Sequence, residues 1–394
     1  MCTKLLKDIN DDRQPLPEGK YRIAMILPHF HPYVGGGEKL FYEIAKGLVK
    51  EGHDVHVVAE MVDEEHSGYK EIEGIKIWYC PWKSAFGHPF PKRRDIEPHI
   101  AWCDIAHTST YTTTPIVSKL ARKYKKPSVI TIHEVRGPMW FKADTFIRAL
   151  IFWMVEQVTV KKKFSVYHAV SDASKRDTER YTKRKNVVRV YNCNEFDASE
   201  ADPDFDVREY FGIKKDSNIF LYYGRPGKTK GIDVYRDALI SLMKENSLPE
   251  NIKFCFILGK EPADLRKIFE EQIQKAGLSD RVLIRPSLDR SKLAAAIMQA
   301  NTVVVPSLTE GFGFSALEAC LLGRPLVHSD GGALPEVVYG QCLSFTNGDA
   351  MDLKNKLLEV IQKGESAFTR IPEKRFTSEE TIKGIIGIYD QLMK

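Results

Sequence analysis

The chain has 394 residues, 43% of them hydrophobic and 28% charged, and a formal net charge of +5 at pH 7. That length is long for one core and comfortable for two, and the composition is that of a folded globular protein, which excludes disordered, collagenous and membrane-spanning classes. Seven cysteines at 2, 80, 103, 193, 255, 320 and 342 form an odd, scattered set without a C-x-x-C pair; this argues for reduced thiols in a cytoplasmic protein and against a disulfide framework or a zinc site.

Residues 1–20 are polar, show no apolar core of a secretory signal, and read as a loose tail. Arg22 to Leu27 is an apolar strand, followed by a Pro- and His-containing segment ending at Val34 and then Gly35-Gly36-Gly37-Glu38. A helix follows with Leu40, Ile44, Leu48 and Val49 on one stripe, closed by Gly52, and Asp54 to Ala59 returns as a strand. This βαβ unit puts the glycines at the carboxyl end of the first strand, where ligands settle in open α/β sheets. The spacing is not G-x-G-x-x-G, so no dinucleotide fingerprint is present, and a tight turn is the plainer account of the glycines.

Residues 61–74 are acidic and loop-like, Ile75 to Tyr79 is a short strand, and Lys83 to Arg94, rich in Pro, Phe and basic residues, reads as an exposed excursion. Strands at 104–107, 127–132 and 164–170 alternate with helices. His133 follows the strand Ser128 to Ile132 and is either a structural hydrogen-bonder or a ligand contact. Thr145 to Val160 is apolar nearly all round, yet too short and, with Arg148 and Glu156, too charged to span a membrane. It is either a buried inter-sheet helix or an interfacial one, the latter encouraged by Lys161-Lys162-Lys163. Ser171 is a good N-cap for a basic helix after it. Residues 101–200 carry 18 Lys and Arg against 10 Asp and Glu, a bias that suits an anionic surface or acceptor, with a solvated surface as the alternative. No stacking module accompanies it, and no nucleic-acid partner is expected.

Residues 199–205 are acidic and polar and read as a linker. A second domain opens on the strand Ile219 to Tyr223 and the loop Gly224-Arg225-Pro226-Gly227-Lys228-Thr229-Lys230-Gly231, with a helix from Ile232. Arg225 brings a planar donor fork and Lys230 a mobile point charge, which together match a diphosphate; exposed loop cations are the plainer alternative. Further strands at 254–258, 282–284 and 302–305 complete a second doubly wound sheet. After the last of them stands Thr309-Glu310-Gly311-Phe312-Gly313-Phe314-Ser315-Ala316-Leu317-Glu318. Two glycines where strand turns into helix let a ligand approach the backbone, and the first N–H groups of the helix suit a phosphate. Glu310 and Glu318 are acceptors for neighbouring sugar hydroxyls, so the stretch reads either as a nucleotide-sugar site or as a strand–turn–helix with surface glutamates. Thr377 to Met393 is a final helix pattern.

The spacing Glu310-x7-Glu318 within Pro306-Ser307-x-x-Glu310-Gly311-Phe312-Gly313, with Gly323-Arg324-Pro325-Leu326-Val327 and Gly331-Gly332-Ala333-Leu334-Pro335-Glu336-Val337-Val338 behind it, resembles the signature of family 4 retaining glycosyltransferases (glycosyltransferase group 1). The resemblance implies the GT-B fold: two α/β, Rossmann-like, doubly wound domains facing across a cleft. It makes 21–198 the acceptor-side domain, 199–375 the nucleotide-sugar domain, and 376–394 a helix crossing back to the first. It implies that Gly36 and Gly37 border the donor, that His133 positions the hexose, and that Arg225 and Lys230 grip the diphosphate. The N–H groups of Gly311, Phe312, Gly313, Phe314 and Ser315 join that grip, Glu310 binds sugar hydroxyls, and Glu318 holds the ribose. Two departures from the family pattern stand out: His133 precedes Glu134 where many members have Asp, and Asn192-Cys193-Asn194-Glu195-Phe196-Asp197 occupies the place of Asn-Gly-Val-Asp.

The reaction so implied moves a hexose from a nucleoside diphosphate sugar, GDP-mannose or a UDP-hexose, to an acceptor hydroxyl with retention, by front-face attack on an oxocarbenium-like state. Glu310, His133, Arg225 and Lys230 are the catalytic candidates. Fixed cations can stabilise the departing diphosphate without a metal, so the nucleotide sugar is expected as co-substrate and no cofactor is required. The acceptor is a glycan, a small molecule or a lipid-linked sugar; the basic character of 101–200 favours the last, with peripheral contact to an anionic membrane at its cytoplasmic face. A non-catalytic nucleotide-sugar binder and a GT-B epimerase or phosphorylase are the competing readings, although no phosphorylase cofactor-lysine motif is apparent.

Overall fold

Short aliphatic runs such as Arg22–Ile26 and Ser128–Ile132, buried along their length, form the centres of two parallel sheets, as expected of strands covered on both faces. The computed structural model describes residues 15–33, 35–85, 88–143, 145–245, 248–259 and 263–394. Most of the tail 1–20, Val34, and the centre of the 83–94 excursion lie outside the described residues. The chain divides into two units, one of Met1–Trp140, Phe146–Cys193 and Phe376–Lys394, the other of Phe141–Thr145 and Asn194–Arg375.

In chain order the first unit comprises β1 (Arg22–Ile26), α1 (Gly36–Lys50), β2 (Asp54–Glu60), β3 (Gly68–Ile72), β4 (Ile75–Cys80), the small hairpin β5 (Lys83–Ala85) and β6 (His88–Phe90), and α2 (Arg93–Trp102). There follow β7 (Ile105–Ser109), α3 (Thr114–Lys123), β8 (Ser128–Ile132), α5 (Phe146–Val160), β9 (Val166–Ala169), α6 (Asp172–Thr182) and β10 (Val187–Arg189); the one-turn α4 (Trp140–Ala143), between β8 and α5, begins at the last residue of one segment of the first unit and otherwise falls in the second. Eight strands form one sheet in the order β10-β9-β8-β7-β1-β2-β4-β3, with only β3 antiparallel. The order reverses between β1 and β7.

The second unit holds α7 (Val207–Phe211), β11 (Asn218–Gly224), α8 (Ile232–Glu245), β12 (Ile252–Leu258), α9 (Ala263–Lys275), β13 (Val282–Pro286), α10 (Arg290–Gln299) and β14 (Thr302–Val305). It continues with α11 (Phe314–Leu321), β15 (Leu326–Ser329), α12 (Leu334–Val337), β16 (Gly340–Phe345), α13 (Ala350–Lys363) and β17 (Thr369–Ile371). Its sheet runs β13-β12-β11-β14-β15-β16-β17, antiparallel only at β17, and reverses between β11 and β14, as in dinucleotide-binding folds. The pleat splits β11 between two cores: Phe220 and Tyr222 face one, Ile219, Leu221 and Tyr223 the other.

The last helix, α14 (Ser378–Met393), belongs to the first unit. Thr377 caps it by accepting from the Glu380 N–H at 3.2 Å. A Cβ on Gly47 would fall 2.0 Å from Ile382 Cδ1, so the absence of a side chain there lets α14 lie directly on α1. The Tyr21 hydroxyl donates to Asp390 at 2.8 Å, and Thr381 Oγ1 donates to the Tyr191 carbonyl at 2.8 Å.

Two expectations need correction. The acidic segment 61–74 contains β3, joined to β4 by Glu73 and Gly74, both at positive φ, in a two-residue hairpin turn. Lys83 to Arg94, exposed as expected at Lys83, Ser84, Phe90, Arg93 and Arg94, is organised as a hairpin leading into a helix. The apolar helix is not buried: only Ala149, Thr159 and Val160 of α5 are shielded, while the carboxylate of Glu156 accepts the N–H groups of Arg136 at 2.7 Å and Gly137 at 2.8 Å. By contrast Ser171 caps α6 as expected, accepting from the Ser174 N–H at 2.9 Å.

Candidate active site

In the second unit the chemistry gathers at the carboxyl ends of β11 and β14, where the strand order reverses and the loops on either side diverge. The loop after β11 is pressed onto the segment after β14. Gly231 sits at φ +70, and a Cβ there would lie 1.7 Å from the Pro306 carbonyl oxygen, so only glycine allows the approach. The Leu308 N–H donates to the Thr229 carbonyl at 2.9 Å and locks the two loops. This contact delivers Lys230 Nζ to the Glu310 carboxylate, at 2.7 and 2.9 Å from its two oxygens. Ser307 Oγ donates to the same carboxylate at 2.8 Å, and the Ser329 hydroxyl donates to the Ser307 carbonyl.

Glu310 is held through its backbone as well. A Cβ on Gly332 would stand 2.5 Å from the nitrogen and oxygen of Glu310, and the Ala333 N–H donates to the Glu310 carbonyl at 2.9 Å. Gly313, left-handed at φ +100, is the N-cap of α11, so Gly311 and Phe312 lead into a helix whose first amides, those of Phe314 and Ser315, have no intrahelical acceptor. The Tyr223 hydroxyl donates to the Ser315 carbonyl at 2.6 Å and lies beside Glu318, whose Oε1 is 3.5 Å from Asn194 Nδ2. Arg225 is exposed, and its guanidinium makes no hydrogen bond or ion pair among the described residues. The result is an end of the sheet carrying two cations, open amide hydrogens and two fixed carboxylates, a set suited to a diphosphate joined to hydroxyl-bearing rings.

In the first unit His133 leaves the end of β8 and its ring lies against Gly37, where a Cβ would be 3.3 Å from Cε1 and Nε2. Gly36 and Gly37 are the first residues of α1 and have helical backbone, so close approach to the imidazole explains Gly37 better than a turn does. Burial lowers the His133 pKa to about 4, with His168 adding to the effect, so the ring is neutral at pH 7. Glu134 pairs with Arg136 at 2.8 Å and fixes the loop that follows.

Beneath that loop runs a chain of hydrogen bonds whose direction follows from its end. His168 Nε2 donates to the Val190 carbonyl at 3.0 Å, leaving Nδ1 to accept from Thr131 Oγ1 at 3.0 Å. Thr131 Oγ1 then accepts from His107 Nε2 at 2.8 Å, and His107 Nδ1 accepts from the Tyr389 hydroxyl at 2.6 Å. Burial holds both imidazoles well below their ordinary pKa, His168 at about 4.

The structure therefore joins Lys230 to Glu310, and Gly37 to His133, and places Glu318 one turn along α11 from the glycines. Sequence reasoning singled out Glu310 and Lys230 as separate ligands and missed that they pair, because the contact depends on Gly231 and Pro306 closing two loops distant in sequence. It also missed Ser307, Tyr223 and Asn194 as supports of the two glutamates. Ser307 had a signal, three residues before Glu310 within the same motif; Tyr223 and Asn194 had none that spacing could reveal.

Two doubly wound units, with a loop-and-amide anion site at the switch point of the second, define the class, and comparison with known proteins agrees. Residues 34–194 match the family model described as Glycosyltransferase Family 4, and residues 204–374 match Glycosyl transferases group 1. The chain belongs to this family and has its GT-B fold; it is a glycosyltransferase. It is 24% identical to the D-inositol 3-phosphate glycosyltransferase of Xylanimonas cellulosilytica over 95% of this chain and 97% of that one. The GPI3 subunit of the phosphatidylinositol N-acetylglucosaminyltransferase of Saccharomyces cerevisiae is 21% identical, over 94% of this chain and 83% of its own. Among solved structures, Anabaena HepE in complex with UDP and glucose superposes with a TM-score of 0.71 at 19% identity, covering 94% of this chain and 100% of that one.

Proposed function

We propose that the protein transfers a hexose from a nucleoside diphosphate sugar to an acceptor hydroxyl with retention at the anomeric carbon, the acceptor being lipid-linked. The observation that carries this reading is the pairing of Lys230 with Glu310 beside the free amides at the start of α11. An incoming diphosphate draws Lys230 away from Glu310 and meets Arg225 and the amides of residues 312–315. Their fixed positive charge then stabilises the negative charge that grows as the sugar–phosphate bond breaks. Glu310, so released, accepts from hydroxyls of the hexose, and Glu318 from those of the ribose. His133, neutral at pH 7, serves as a hydrogen-bond partner of the hexose rather than as a cation on the phosphate. With the donor bound, Glu310 is still held by Ser307 and engaged by hexose hydroxyls rather than presented as a free nucleophile, which supports front-face attack with the departing phosphate taking the acceptor proton. No metal or other cofactor is needed in this scheme.

The HepE complex, which holds UDP and glucose, supports a UDP-hexose donor; GDP-mannose is the other donor to be tried. A relative whose name includes phosphatidylinositol supports a lipid-linked acceptor. A thermal-shift panel of UDP- and GDP-sugars tests the reading: one nucleotide sugar should raise the melting temperature by mass action, and its free hexose should not. A flat panel at millimolar ligand would contradict it.

A further inference from the structure

The outer face of α5 is inverted relative to an ordinary surface helix. Glu156 points inward, bound by two backbone N–H groups, whereas Ile147, Ile151, Met154, Val155 and Val158 are 72, 48, 46, 50 and 57% exposed. Their spacing of i, i+4, i+7, i+8 and i+11 winds all five onto one stripe opposite buried Ala149 and Val160. Scattered surface hydrophobics need no explanation, but a continuous stripe does. The stripe runs directly into Lys161, Lys162 and Lys163, none of which takes part in an ion pair among the described residues. Arg184 adds a fourth cation, donating to the Lys161 carbonyl at 3.2 Å. Among the described residues no helix is long and apolar enough to cross a membrane, so the stripe is not part of a span.

We infer that α5 and the cationic turn after it form a docking surface for an anionic lipid bilayer, the helix lying in the interface with its stripe among the acyl chains and its lysines at the head groups. Charge complementarity decides between occupants. A second copy would bring the same apolar stripe, which has no acidic residue to meet these cations because Glu156 is turned inward, whereas anionic lipid supplies the missing negative charge along with apolar depth. The inference deepens the proposed lipid-linked acceptor, since it names the surface that would bring the enzyme to such a substrate, but it concerns binding and stands apart from turnover.

Flotation of the full chain with equimolar phosphatidylcholine–phosphatidylglycerol vesicles, against phosphatidylcholine vesicles alone, tests it. The wild type should float with the anionic vesicles and release from them at high salt. Ile151→Ser/Val155→Ser and Lys161→Glu/Lys163→Glu should each lower the partition coefficient about tenfold or more. Both variants should keep the wild-type melting temperature and the rate of nucleoside diphosphate release from the donor in water. A wild type that stays at the bottom of the gradient, or an Ile151→Ser/Val155→Ser variant that floats like it, overturns the docking surface. So does a wild-type dimer in light scattering that this variant converts to monomer, because the stripe would then be covered by a second copy. Transfer to a detergent-dispersed lipid acceptor despite failed flotation would remove the surface and leave the acceptor reading standing; flotation without such transfer would do the reverse.

Discussion

Two sheets in one chain reverse their strand order in the same way, yet the ends of their strands hold opposite kinds of chemistry. In the second unit the switch point carries a close ion pair, Lys230 with Glu310, beside an exposed guanidinium and open amides. In the first unit the neighbourhood of His133 is a set of imidazoles kept neutral by burial and joined by directional hydrogen bonds to Thr131 and Tyr389. The comparison teaches that the doubly wound fold fixes where a ligand meets the backbone, while the side chains decide what charge it meets. Charge in the second unit suits a departing diphosphate, and neutrality in the first suits a sugar.

The sharpest way to break this division is at Glu310. Glu310→Gln keeps the shape and one acceptor oxygen but removes the charge, and transfer should fall by roughly 10²–10³-fold at unchanged melting temperature. A rate within about threefold of wild type would mean the carboxylate has no part in the reaction. Gly231→Ala attacks the backbone that creates the pair. With φ at +70 and a Cβ 1.7 Å from the Pro306 oxygen, it should cost about 2–4 kcal/mol in chemical denaturation or prevent folding.

The first unit is broken by protons. The folded-state pKa of His168, at about 4, lies below its unfolded value near 6.5, and His107 is lowered as well. Between those limits the unfolded chain binds more protons, so stability is flat above about pH 6.5 and falls as pH drops toward about 4, by about 1.4 kcal/mol per pH unit for each histidine. Urea midpoints at pH 8, 7, 6 and 5 read this directly, and a midpoint that rises on acidification would contradict the buried neutral chain. The smallest expected effect is at Ser307→Ala, which removes one hydrogen bond to Glu310. Transfer should drop about five- to tenfold, equivalent to about 1 kcal/mol, with little change in donor affinity.

Much of the second unit could be read from its residues because the candidate site residues lie in two continuous stretches, 224–231 and 306–318, each at a strand-to-helix junction. What could not be read is the contact between them, which needs Gly231 against Pro306 and is a property of strands far apart in sequence. The first unit was less legible for a physical reason. Its hydrogen-bond chain draws one residue each from β7, β8, β9 and α14, and no local pattern marks a histidine that will be buried. Beyond β14 the strands β15, β16 and β17 were missed, and in the first unit β3 and β10; of these, β3 and β17 are polar edge strands, which lack the aliphatic run that marks a central one. Helix α5 shows the converse: an apolar sequence implies burial only when some surface within the fold is there to receive it.

The central claim, that the loops 225–231 and 310–315 hold the diphosphate of the donor, is tested most directly by calorimetric titration of UDP and GDP into the wild type and the Arg225→Met/Lys230→Met double variant. The account predicts binding of one nucleoside diphosphate by the wild type and a loss of about a hundredfold or more in the variant, since two charge-assisted contacts disappear together. Equal dissociation constants for the two proteins would contradict it.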